Sequence, residues 1–240
     1  MSIEVPYLSD EDIEAEANSV LRSFEAKYGI IQSVAVPLDE IIESHLGLTC
    51  EFADFGHPGI LGELNIRKNH IRINHMLDPN VDPTKEGRFN YTLAHEGGHH
   101  ILHRSYAEAL METPSIFGEE GKTKNVILCR MENQKAAIEI QADRFASCLL
   151  LPRDKVYKEF VRQTGHQHGL DIQMLVLGAS RSRGLMDWLF PEGSYFPSEN
   201  DFLHRWFAGF ADQFKVSRQA MVICLKKFGL LKYEGQKPFL

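Results

Sequence analysis

Between Ser9 and Tyr28 the apolar residues fall at Ile13, Ala17, Val20, Leu21 and Phe24, a three-and-four spacing that lines one face of a helix. Ser9 stands where an N-cap belongs, Asp12 three residues on completes a reciprocal capping box, and Gly29 stops the run. A second short helix follows Pro37, with Leu38, Ile41, Ile42 and Leu46 on one face and Gly47 as its end signal. The period then changes to two. Leu48 to Phe55 reads as a strand, and GELNIRKNHIRIN (62–74) as two alternating segments joined in a β-hairpin around Arg67-Lys68-Asn69-His70.

Pro79, Pro83 and Gly87 punctuate the next loop, where Asp82 is a good N-cap and Pro83 a good first residue for a helix reaching about Arg104. Residues 112–129 read as a loop with a short element. A further helix is expected from about Glu132 to Leu150, ended by Pro152, because the residue before proline resists helical angles. Its buried stripe is Ile138, Ala142, Phe145 and Leu149. Residues 153–185 look helical and polar, and two or three helices close the chain from Glu199. Several helices around one small sheet make the expected fold class α+β.

With 43% hydrophobic and 25% charged residues in 240, the chain has the balance of a globular protein with a real core. No apolar run approaches the ~20 residues that cross a bilayer, so no membrane partner is expected. The acidic opening MSIEVPYLSDEDIEAEAN does not read as a signal peptide. Cys50, Cys129, Cys148 and Cys224 are scattered, a usage that suits a reducing, cytoplasmic setting. Charge is uneven: residues 201–240 carry seven Lys and Arg against three Asp and Glu, the first 200 residues 19 against 30. Any nucleic-acid contact must therefore come from the C-terminal end.

The chemistry centres on His95-Glu96-Gly97-Gly98-His99. Residues four apart share a helix face, so both imidazoles can point at one cation, an N/O site that suits zinc. Glu96 is turned about 100° from His95, near the ion but free of it, where it can act as general base. His103 lies on the same face. Three histidines along one straight helix span about 12 Å, too far for all to reach one ion, so His103 is not expected to ligate. The third ligand should come from another helix, and Glu139 is the best candidate. Asp143, four residues on, can accept a hydrogen bond from the far nitrogen of a ligand histidine. Gly97 and Gly98 each cost about 1 kcal/mol inside a helix relative to alanine, and their bare backbone would let a neighbouring element approach the metal.

The stretches TLAHEGGHHILH (92–103) and EIQADRFASCLLLP (139–152) resemble those of the ImmA/IrrE family of metallopeptidases, and HIRIN (70–74) looks like that family's edge strand. The resemblance covers roughly residues 30–152. It implies a compact zincin-like fold, a small twisted sheet packed on the metal helices, with a metallopeptidase domain over residues 1–152 and a helical region over 153–240. It also implies His95, His99 and Glu139 as zinc ligands and a cytoplasmic protein that cleaves a transcriptional repressor or antitoxin, often in stress response. Two positions depart from the family: a bulky apolar residue is usual where Gly97 stands, which suggests a looser site, and an acid is common where Gln141 stands. Gln141 leaves Glu139 as the sole carboxylate ligand there.

In the expected mechanism zinc, with manganese as the alternative metal, activates water and Glu96 takes its proton. Oxyanion donors are sought among His166, His168, Tyr91 and Tyr106, and an extended substrate is placed along His70–Asn74 by strand addition. Residues 205–230 read as a helix-turn-helix, with Phe207, Phe210, Ala211 and Phe214 on one helix, Ser217 capping the next, and Ala220, Ile223 and Leu225 as its apolar positions. Three functions compete: a zinc endopeptidase acting on a regulatory protein, a DNA-binding regulator with a structural or sensory metal, and a pseudo-enzyme that only sequesters its partner. Intact Glu96 disfavours the last.

Overall fold

The computed structural model describes residues 7–112, 126–130, 137–181 and 198–233, and the chain divides into two compact units at Leu150/Leu151. In the first unit, helix α1 (Asp10–Tyr28) carries the capping box read from the sequence: Ser9 Oγ accepts from Asp12 N at 3.1 Å, and Asp12 Oδ2 accepts from Ser9 N at 3.0 Å. Its buried face is Ile13, Ala17, Val20, Leu21 and Phe24. The helix expected after Pro37 is a single wide π turn (Glu40–His45), which buries Ile41 and Ile42.

Strands β1 (Thr49–Ala53), β2 (Ile60–Asn65), β3 (His70–Asn74) and β4 (Val126–Arg130) form one sheet in the order β1-β3-β2-β4. β2 and β3 are the expected antiparallel hairpin, turned at Asn69, which takes a left-handed φ of 49° that asparagine tolerates. β1 adds parallel to the other side of β3. The alternation of β3 buries Ile71 and Ile73 and leaves Arg72 between Glu51 and Glu63, its register partners, at 3.6 and 3.2 Å. Opposite charges directly across strands favour this register by a few tenths of a kcal/mol each. β3 is thus an interior strand. The expectation that HIRIN is an edge to which substrate adds is overturned, because both of its hydrogen-bonding sides are taken; the sheet's edges are β1 and β4. β4 had been read only as a short element within a loop, and residues 113–125 of that loop lie outside the described residues.

A 3-10 turn at Pro83–Lys85, capped by Asp82 through Thr84 N at 3.0 Å, leads into α2 (Glu86–Glu112), a turn or two longer than expected. α3 (Ala137–Leu150) packs along α2 and also against α1, while α2 lies on β2 and β3. The start expected near Glu132 falls outside the described residues. α3 buries Gln141, Ala142, Phe145, Ala146, Leu149 and Leu150; Ile138, placed in the stripe by spacing, is half-buried because it sits one turn beyond the tightest α2 contact.

The second unit contains α4 (Arg153–Thr164), β5 (Leu170–Asp171), α5 (Ile172–Arg181), α6 (Glu199–Trp206), α7 (Ala208–Gln213), α8 (Arg218–Lys227) and β6 (Leu231–Lys232). The polar stretch 153–185 is not one helix. Gly165 caps α4 with a left-handed φ of 72°, and β5 pairs parallel with β6 before α5 begins; residues 182–185 lie outside the described residues. α7 and α8 form the helical pair read as a helix-turn-helix, and Ser217 Oγ caps α8 through Ala220 N at 3.1 Å. Its buried face is Met221, Val222, Cys224 and Leu225; Ile223, expected there, is 58% exposed.

α2 and α3 come close together at Gly98. A Cβ there would stand 3.1 Å from the Phe145 ring and 3.3 Å from the Ala142 main chain. At Gly97 a Cβ would meet only the tip of Ile42, at 2.8 Å. Ile42 therefore fills the space left by the missing side chain, and the looser site expected from Gly97 is not found. Gly98→Val should lower stability by about 1–3 kcal/mol, since a main chain cannot give way, whereas Gly97→Ala should gain up to about 1 kcal/mol of helix propensity less the cost of turning Ile42. Urea unfolding measures both; an unchanged midpoint for Gly98→Val would show that the helices do not touch there.

Candidate metal centre

The inner face of α2 carries four polar side chains, His95, Glu96, His99 and His103, none more than 1% exposed. A buried polar group without a partner costs roughly 1–3 kcal/mol in mutational terms, so their partners define the site. α3 supplies most of them. Glu139, Gln141 and Asp143 project from its first two turns towards α2.

His95 Nε2 lies 3.1 Å from Glu139 Oε2, His99 Nε2 lies 3.5 Å from Glu139 Oε1, and the two Nε2 atoms are 3.0 Å apart. Four ligands about 2 Å from one ion in a tetrahedron stand about 3.3 Å from each other. The three side chains therefore already have the mutual spacing that a single small cation requires, and they are the His/Cys/Asp/Glu group among the described residues that could hold one. His103 is not in the group, as the 12 Å argument expected.

His95 is oriented from behind. Its Nδ1 lies 3.0 Å from Asp143 Oδ1, and Tyr91, sought as an oxyanion donor, instead donates its hydroxyl to the Asp143 carbonyl at 3.3 Å. Both His95 nitrogens face a carboxylate, which only accepts, so without an ion the ring can donate to either; a cation taking Nε2 would leave the proton on Nδ1, where Asp143 receives it. Burial works to raise the Glu139 carboxyl, but hydrogen bonds from His95 and His99 outweigh it and hold it down at about 2. Burial pushes His99 down to about 4. Neutral imidazoles beside an ionised carboxylate are the forms that bind a divalent cation, so the donor set fits one.

Glu96 is the exception among the four. It is fully buried, and neither carboxylate oxygen has a hydrogen-bond partner among the described residues. Burial, with smaller contributions from Glu139 and Glu63 against the pull of His95, raises it to about 8. β2 covers it directly: a Cβ at Gly62 would lie 2.6 Å from Glu96 Oε1. Gly62 was not singled out in the sequence, where it is only the first residue of an alternating segment.

Two further residues were visible but underread. His103 Nδ1 lies 3.0 Å from His99 Nδ1, and His103 Nε2 lies 2.8 Å from Gln141 Oε1, all three side chains buried. The signal was present: His95, His99 and His103 repeat every four residues, and Gln141 sits between Glu139 and Asp143. Of the other oxyanion candidates, Tyr106 is half-buried on α2, and His166 and His168 belong to the second unit, where His166 Nδ1 bonds the Thr164 carbonyl at 2.7 Å. One cavity, of about 160 Å³, lies between the π turn, β1 and α2, lined by Ile42, Cys50, Phe52, Phe89 and Leu93 among others, and contains none of the cluster residues.

A search of curated proteins finds no match to the chain. Against protein families, residues 44–170, more than half of the sequence, match the peptidase family described as the IrrE N-terminal-like domain. That span holds β1 to β4, α2, α3 and α4, and so every residue of the cluster. By this match the chain belongs to the IrrE N-terminal-like family of metallopeptidases.

Proposed function

We propose that this protein is a zinc-dependent endopeptidase in which His95, His99 and Glu139 hold the ion and Glu96 is the general base. One observation carries the reading: a carboxylate with no hydrogen-bond partner, fully buried, beside a cluster spaced for a cation. A buried carboxylate kept free of donors is costly to the fold and useful only to a reaction that hands it a proton. Zinc held there supplies a Lewis acid, which brings the pKa of a coordinated water towards 7 and polarises a carbonyl.

The chain's own residues do the rest. Glu96 removes the proton from the attacking water and returns it to the departing amine nitrogen. Asp143 keeps the His95 ring turned so that Nε2 faces the ion. Gly62 leaves the room that the Glu96 carboxyl occupies. An extended peptide gains main-chain hydrogen bonds at a sheet edge, β1 or β4, since β3 has none to offer.

The substrate we propose is a regulatory protein, a repressor or antitoxin, met in the cytoplasm; this draws on the family resemblance and on the scattered cysteines. No helix among the described residues is long and apolar enough to cross a membrane. The DNA-binding alternative draws support from the capped α7–α8 pair. Against it, Lys226 on α8 is held by Asn200 at 3.3 Å and lies 4.0 Å from Glu199, which thins an already small basic surface.

Metal-loaded protein incubated with the repressor or antitoxin encoded beside it should release fragments visible by mass spectrometry. Glu96→Gln should bind zinc like the parent and lose about 10²–10⁴-fold in cleavage rate; unchanged turnover would defeat the assignment. Glu139→Ala should lose zinc instead, shown by equilibrium dialysis. Gly62→Ala should leave zinc binding intact and slow cleavage by displacing the Glu96 carboxylate, so equal rates would remove Gly62 from the account.

A further inference from the structure

We infer that Gln141 and His103 form a hydrogen-bond relay that fixes the tautomer of His99, so that its Nε2 faces the Glu139 side with a bare lone pair. The inference rests on the reading of His95, His99 and Glu139 as metal ligands. Its premise is that a neutral imidazole carries one proton on two nitrogens, and only the nitrogen without it can ligate.

The assignment runs inward from Gln141. Its Oε1, a carbonyl oxygen, can only accept, and His103 Nε2 lies 2.8 Å from it. The His103 proton is therefore on Nε2, and His103 Nδ1 is an acceptor. That acceptor lies 3.0 Å from His99 Nδ1, so His99 must donate from Nδ1. In that order His99 Nε2, 3.0 Å from His95 Nε2 and 3.5 Å from Glu139 Oε1, is free to ligate; without an ion a proton in this cluster answers the Glu139 carboxylate, and a cation would take its place while the relay receives the Nδ1 proton.

The wiring works only because it is dry. His99 and His103 are fully buried and Gln141 is 5% exposed, so no bulk water can substitute for a missing link. The opposite proton order, with the amide NH₂ of Gln141 towards His103, would put the His99 proton on Nε2 and block the ligating nitrogen. The two ligand histidines are thus set by different means: His95 by one carboxylate at 3.0 Å, His99 by a neutral chain of two side chains. His103 and Gln141 are positioning residues; neither reaches the ion.

The test uses the full chain. Long-range ¹H–¹⁵N correlation of the zinc-loaded parent reads ring tautomers directly, and His99 should carry its proton on Nδ1 and His103 on Nε2. Zinc affinity, measured by competition with a chromophoric chelator, should fall about 10–100-fold in Gln141→Leu, which keeps the volume and removes the acceptor. Gln141→Glu, which keeps an acceptor, should bind at least as tightly as the parent. A His103 proton on Nδ1 in the zinc-loaded parent, parent-like affinity in Gln141→Leu, or a Gln141→Glu protein as weak as Gln141→Leu would each overturn the relay. A parent that binds no zinc would overturn the metal reading instead, so the two failures are told apart.

Discussion

Three imidazoles on the inward face of one helix would unfold it from its neighbours unless another element met them at close range. α3 does so, and the approach depends on Gly98, where the α3 main chain at Ala142 stands 3.3 Å from where a side chain would begin. At that separation the one-turn spacing of Glu139 and Asp143 spans the one-turn spacing of His95 and His99, and Gln141 between them reaches His103. The glycine gives up about 1 kcal/mol of helix propensity, and the polar contacts it admits are worth more, because each buried hydrogen bond left unmade costs 1–3 kcal/mol.

That balance explains which parts of the protein were legible in its sequence. The α1 capping box, the β2–β3 hairpin and the His95/Glu96/His99 face are all set by neighbours within a few residues, where helical and strand periods decide the geometry. Glu139 and Asp143 could be found because a four-residue repeat of carboxylates is incomplete without something to meet. What could not be read depends on long-range partners. β1 shows no alternation that would announce its pairing, so nothing local revealed that β3 has strands on both sides. The space at Gly97 is filled by Ile42, fifty-five positions away, and no spacing rule connects them. Ile138 and Ile223 were placed in apolar stripes by period alone, yet their partners leave them half-buried and exposed.

Glu96 runs against the rule that governs its three companions. They are satisfied; it is not, among the described residues. β2 makes this possible by presenting a glycine: a larger residue at position 62 would either collide with the carboxylate or push it towards a donor. A fold that tolerates this unsatisfied carboxyl places a stability deficit where the proposed reaction needs a free base, the pattern expected when local rules fail at functional positions.

The two supports of the ligand histidines also differ in charge, and the difference bears on reactivity. In the proposed site, Glu139 as ligand and Asp143 behind His95 would together offset the charge of a divalent cation. A second carboxylate behind His99 would add a third negative charge and weaken the pull of the ion on a bound oxygen, whereas the His103–Gln141 relay fixes the ring without adding any. With the proposed metal in place, a neutral Gln141 instead of an acid would trade some cation affinity for a stronger Lewis acid. On this argument an acid at position 141 tightens zinc while slowing turnover, an opposition of affinity and rate that a purely structural glutamine would not produce.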